Sequence, residues 1–167
     1  MDGPIEKLVV RKRDLADKLS IVLVVFLAVV IILALIIIGY YFEYFPIIAA
    51  VILFLAMKFV FMKNIEFEYS YFDGEIEFDK IINQKKRKSI AKLSVRDFET
   101  FGHQDLFSKI PTPPKSQIFC TAQENSSENY FFITNFNSKR TAFFFVPEGE
   151  IINDIKRRIP NKILKGE

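Results

Sequence analysis

Two uninterrupted apolar runs occupy most of residues 19–63, and the pattern changes character immediately after them. Ile21–Ile38 is eighteen residues without a charge. At 1.5 Å per residue Ile21–Tyr41 rises about 31 Å, the thickness of a bilayer's hydrocarbon core. Strands of that length fall outside the usual range, so the run predicts a spanning helix over residues 20–41. The second run, Ile47–Phe61, carries one charge, Lys58; with Phe45 and Pro46 it predicts a second span over residues 46–62. Pro46 suits a first helical turn, where its missing N–H leaves no bond unmade. A secretory signal has a shorter apolar core and a small-residue cleavage site, whereas Gly39-Tyr40-Tyr41-Phe42 follows the first run. Before the hairpin, residues 1–18 form a charged segment. Leu8, Leu15 and Leu19 fall near helical spacing within Glu6–Ser20, which fits either a short interfacial helix or a solvated tail.

From Lys63 onward the period drops to two. Ile65, Phe67, Tyr69 and Tyr71 alternate with Glu66, Glu68 and Ser70, the signature of a half-buried strand. Asp73-Gly74 is a two-residue hairpin signal, and Glu75–Ile82 is the returning strand. Asn83–Arg87 reads as a polar turn, Lys88–Leu93 as a third strand and Val95–Phe101 as a fourth. Gly102–Ser116, with Pro111, Pro113 and Pro114, reads as a long loop. Gln117–Ala122, Asn129–Thr134 and Arg140–Val146 complete a set of about seven strands. A helix over Glu148–Ile159 follows. Ile151, Ile152, Ile155 and Ile159 share one face, acidic residues come first and Lys156, Arg157 and Arg158 last, as the helix dipole favours, and Pro160 stops it.

The close of the chain, a strand ending in Phe-Val-Pro and then an acidic-start helix over Arg140–Ile159, resembles the end of a pleckstrin-homology-like (PH-like) domain. The stretch Phe67-Glu68-Tyr69, Asp73-Gly74-Glu75 and Asp79-Lys80-Ile81-Ile82, followed by a basic run, resembles small uncharacterised bacterial two-span membrane proteins. The implied fold is a membrane helical hairpin followed by a cytoplasmic α+β domain over residues 64–167: a bent antiparallel sheet or barrel capped by one C-terminal helix. The resemblance implies a partner-binding or assembly module and no activity. Lipid-binding PH-like domains carry a basic turn between their first two strands. Counted from the hairpin, that turn here is Phe72-Asp73-Gly74, which is not basic.

Charge orients the hairpin. Lys7, Arg11, Lys12, Arg13 and Lys18 precede it, Lys63, Lys80 and Lys85-Lys86-Arg87-Lys88 follow it, and the connection holds only Glu43. Basic residues collect on the cytoplasmic side, so both termini are expected there, with the chain a multi-pass protein of the inner or plasma membrane. Lys18, Lys58 and Lys63 are expected as interface anchors, Lys58 by snorkelling, and Tyr40, Tyr41 and Tyr44 as an aromatic belt. A strand leaving Lys63 extends away from the bilayer and the next one returns. Lys85, Lys86, Arg87 and Lys88 are therefore expected back at the membrane surface, contacting anionic headgroups.

Composition excludes several alternatives. Residues 64–167 carry 16 Lys and Arg against 15 Asp and Glu, not the basic excess of a nucleic-acid binder. The single Cys120 and single His103 do not make a disulfide framework or an ordinary zinc site. Cys120 reads as a packing residue, and the acidic residues Glu66, Glu68, Glu75, Glu77 and Asp79 as the outer face of a hairpin. No cofactor and no catalytic residue is expected. The expected role is a non-enzymatic, membrane-tethered module. Its partners are the bilayer and another membrane or cytoplasmic protein, received at a free sheet edge or beside the terminal helix. The competing expectation is a subunit of a membrane enzyme or transporter complex, working through Gly102–Ser116 and its His103 and Asp105.

Overall fold

The computed structural model describes residues 3–39 and 43–164. The chain divides into two compact units, one comprising Lys12–Ile65 with Ile82–Lys86, the other the remainder. In the first unit the helices are α1 (Leu15–Gly39) and α2 (Phe45–Met62). Both are long and apolar enough to cross a membrane, and the chain itself buries only 6% and 0% of their apolar windows. Ala28 is buried in α1, where its small side chain lets the helices approach. Tyr44 occupies the N-cap position of α2 with Pro46 in the first turn. At the opposite end the base is clasped: the Lys63 ammonium lies 2.8 Å from an Asp17 carboxylate oxygen, and Arg13 donates to the Asn64 side chain.

The second unit holds two four-stranded sheets, ordered β1-β2-β3-β4 and β5-β7-β8-β6. The strands are β1 (Ile5–Val10), β2 (Ile65–Phe72), β3 (Glu75–Ile82), β4 (Lys86–Ser94), β5 (Thr100–His103), β6 (Ser116–Phe119), β7 (Tyr130–Phe136) and β8 (Lys139–Phe145). Four expectations change. There are eight strands, not seven, because Ile5–Val10 is neither interfacial helix nor tail but a strand antiparallel to β2, from Ile5 opposite Tyr71 to Val10 opposite Glu66. The sheets do not close into a barrel. They are not wholly antiparallel, since β6 runs parallel to β8. Val95–Asp97 is a 3₁₀ turn, with Arg96 N–H donating to the Ser94 hydroxyl, so β5 starts later than the pattern suggests. The interfacial-helix reading fails at Ile5–Val10 because a six-residue segment carries both periods equally well. Pairing with a strand more than fifty residues away decides between them.

The main core lies between the sheets. Tyr69 and Tyr71 of β2 and Ile76 and Phe78 of β3 point inward, as do Phe132, Phe143 and Phe145, all fully buried. Phe78 sits 6.0 Å from Phe132, 5.8 Å from Phe143 and 5.7 Å from Phe145, ring centre to ring centre. The second sheet is buried on its other face too, by a cluster of Phe131, Ile133, Ala142 and Phe144. That accounts for the unbroken apolar runs of β7 and β8, which lack alternation because neither face meets water. Asp73-Gly74 and Asn137-Ser138 all have positive φ, the two-residue hairpin geometry that keeps strand twist.

Helix α3 (Gly149–Arg158) closes the sandwich with Ile151 and Ile155. It is pinned by a buried carboxylate. Asp154, 3% exposed, accepts from the Tyr71 hydroxyl at 2.6 Å, from Arg158 Nε at 2.6 Å and from Arg157. Arg158 also reaches Asp73 Oδ1 at 2.8 Å, so the helix is tied to the β2–β3 turn. Gly74 makes room: a Cβ there would lie 2.8 Å from an Arg158 guanidinium nitrogen. Burial raises the Asp154 pKa, but the bonds from Tyr71, Arg158 and Arg157 outweigh it and hold the carboxyl below its ordinary range.

Candidate functional site

The basic run falls where a turn meets the base of the hairpin. The turn is shorter than the sequence suggests: Asn83 and Gln84 take positive φ, Lys85 N–H donates to Ile82 O at 3.2 Å, and Lys86 already begins β4. Residues Ile82–Lys86 belong to the compact unit of the two helices. The link is a backbone bond, Asn83 N–H to Asn64 O at 2.8 Å, two residues beyond the end of α2. Lys85 and Lys86 thus stand beside the chain segment that carries Lys63 and, through Arg13 and Asp17, the start of α1. Lys18, Lys58 and Tyr44 are exposed on the helices. Tyr40 and Tyr41 lie outside the described residues.

Arg87 differs from its neighbours. Its guanidinium bonds Glu68 and lies 3.7 Å from Asp79 Oδ2, across the outer face of the first sheet. Lys92 does the same for Glu77 at 2.5 Å and Glu75 at 3.3 Å, and these bonds hold its pKa up. The acidic face read from the sequence is therefore largely an ion-paired sheet surface. Lys85, Lys86 and Lys88 are exposed, and no such pairing engages them among the described contacts.

The loop over Gly102–Ser116 has a structural occupation. It contains the 3₁₀ turn Gln104–Lys109, and its Leu106, Phe107 and Ile110 pack on the outer cluster of the second sheet. Phe107 sits edge-on to Phe131 at 5.1 Å and to Phe144 at 5.0 Å. His103 does meet Asp105, Nδ1 to Oδ2 at 3.1 Å, but its Nε2 faces the Ser127 carbonyl at 2.7 Å. Both ring nitrogens are thus engaged by acceptors, and neither faces a hydroxyl or thiol. Cys120 is fully buried, and burial pushes its thiol pKa up to about 12, the behaviour of a packing residue. Among the described residues no three His, Cys, Asp or Glu side chains converge as metal ligands would.

Beside His103 runs a groove of about 620 Å³, walled by Phe101, Gly102, Leu106 and Tyr130 on one side and Lys156, Pro160, Ile163 and Leu164 on the other. One wall is the end of α3 and the turn after it, the neighbourhood of the terminal helix that the sequence offers for a partner; the other, Phe101–Leu106 with Tyr130, is too distant in sequence to be read from it.

The connection between the first two strands is also reassigned. With β1 ahead of the hairpin, strands one and two are joined by the hairpin itself, flanked by Arg11, Lys12, Arg13 and Lys63. The non-basic Phe72-Asp73-Gly74 turn joins strands two and three.

A family model described as Bacterial PH-like domain (DUF6106) matches residues 1–165. Its span takes in β1, both helices and the domain as one unit. No curated protein and no solved structure matches the chain.

Proposed function

We propose that this chain, which belongs to the bacterial PH-like domain family, is a membrane-tethered binding or assembly module held at the cytoplasmic face of the cell membrane. PH-like domains are generally non-enzymatic binding modules, and the engaged ring of His103 favours no departure from that. The observation that carries the reading is the pairing of β1 with β2. Two strands of one sheet must lie on the same side of a membrane, so the chain between them crosses it an even number of times. An even number of crossings agrees with the two apolar helices. The pairing also speaks against a cleaved signal, since cleavage after α1 would take away a strand of the sheet. Charge then selects the side.

Topology is testable by cysteine labelling in intact cells, on a background with Cys120 replaced by Ala. Glu43→Cys should react with a membrane-impermeant maleimide added outside, while Lys7→Cys and Ser138→Cys should react only after permeabilisation. Labelling of Lys7→Cys from outside in intact cells would sink the reading.

Within this reading Lys85, Lys86 and Lys88 contact anionic headgroups, and Arg87 serves the sheet instead. Basic residues near an anionic surface contribute about 1 kcal/mol each. Lys85→Gln with Lys86→Gln should therefore weaken enrichment of anionic lipid around the full chain by about 30-fold at most. Arg87→Gln should change it little. Native mass spectrometry of the chain in mixed-lipid nanodiscs reads both, and equal effects of the two changes would contradict the division of roles.

A further inference from the structure

The free edge of β5 in the second sheet is met by a short bridge from the segment that follows α3. After α3 the turn Pro160–Lys162 brings the chain back along β5. Ile163 forms a parallel bridge with Phe101, and Leu164 N–H donates to Phe101 O at 2.9 Å. Lys162 Nζ reaches the Arg96 carbonyl at 2.9 Å. Gly102 permits the approach, because a Cβ there would lie 3.1 Å from the Leu164 Cβ. The Leu164 side chain packs on the cluster of Phe131, Ile133, Ala142 and Phe144. Main-chain pairing along an edge strand, with a side chain inserted into an apolar cluster, is how extended peptides are recognised by strand addition.

The β4 edge is less suited to this. β4 begins with Lys86, Arg87 and Lys88, exposed charges of the kind that protect an edge from pairing. The groove of about 620 Å³ alongside Ile163 and Leu164 is left open by the segment bound in cis.

We propose that the β5 edge is a strand-addition site shaped for the segment Lys162-Ile163-Leu164, filled in cis within one chain and in trans by the same segment of a second copy. The second copy is the occupant because the sequence that fits this edge is the chain's own. The hinge is a single short turn opening on Pro160, and short constrained hinges favour exchange of an element between copies. The inference rests on the membrane-tethered reading only for concentration: copies confined to one bilayer meet far more often than in dilute solution. The consequence is side-by-side association of domains, coupled through the outer face of the second sheet.

Disulfide trapping in the full chain, with Cys120 replaced by Ala, tests it. A single chain carrying both Gly102→Cys and Leu164→Cys should close an intrachain disulfide under mild oxidation, which checks the fold and the placement together. Separately tagged chains, one with Gly102→Cys and one with Leu164→Cys, are then reconstituted together in neutral-lipid vesicles and oxidised. Neutral lipid keeps the outcome independent of headgroup binding. The interchain product should exceed by about tenfold or more that from exposed Lys109→Cys mixed with Leu164→Cys. If the double variant closes in cis but the mixture gives only the Lys109→Cys level, the segment does not exchange and the proposal falls. Failure to close in cis would remove the site itself.

Discussion

Replacing Asp154 by Ala should destabilise the domain by about 1–3 kcal/mol, the usual cost of leaving a buried hydroxyl without its acceptor, because the two arginines it pairs with still reach water. The change strips acceptors from the Tyr71 hydroxyl, Arg157 and Arg158 at once, and Tyr71 is fully buried. Thermal unfolding of the full chain in detergent, followed by near-UV circular dichroism, should show a drop in Tm with the helical signal of α1 and α2 retained. Asp154→Asn should lose less, because an amide oxygen still accepts from Tyr71. The pH dependence has a definite sign. The folded pKa of Asp154 lies below the unfolded value of about 3.9, so its contribution is full above that value and is lost as pH falls through the folded pKa. The difference in stability between the native chain and Asp154→Asn should therefore shrink only below about pH 4. A difference that shrinks between pH 6 and 8 would contradict the assignment.

Phe107→Ala should cost about 3 kcal/mol, the low end for a phenylalanine truncation because the ring is only partly buried. It removes the ring seated on Phe131 and Phe144 and opens the outer face of the second sheet. His103→Ala should cost under about 1 kcal/mol, since it gives up contacts at a half-exposed position. The pair separates two roles for residues 102–116, sheet cover and catalytic loop. A cover for the sheet is sensitive at Phe107 and indifferent at His103. A catalytic loop would be the reverse, with His103→Ala abolishing a cellular function while the domain stays folded. Denaturant titration of both variants beside a growth or assembly phenotype decides between them.

These expectations mark where the sequence is legible. The β2–β3 hairpin is readable because alternation and Asp73-Gly74 agree, and α3 is readable because its apolar face, charge order and Pro160 agree. The Gly102–Ser116 stretch is not readable in the same way. Leu106, Phe107 and Ile110 have no strand period and only one irregular turn between them, so nothing local reveals that they share a target. The unbroken apolar runs of β7 and β8 did hold the missing clue, since a strand without alternation needs cover on both faces. Arg87 illustrates the same limit on the charged side. In sequence it is one of four consecutive basic residues, and only the cross-strand carboxylates of Glu68 and Asp79 set it apart.

The hairpin itself was determined by sequence alone: eighteen apolar residues without a charge can satisfy their backbone in lipid only as a helix, and no packing is needed to say so. The tertiary structure decided what the hairpin interrupts. Ile5–Val10 becomes a strand because β2 offers an edge and a place for Val9, and that partner arrives only after both helices have been made. The hairpin is thus not an anchor ahead of a domain but the connection between two paired strands of its sheet. Helices are specified by contacts a few residues apart, whereas strand pairing is specified by a partner at any separation, and here that partner lies more than fifty residues on, beyond both apolar helices.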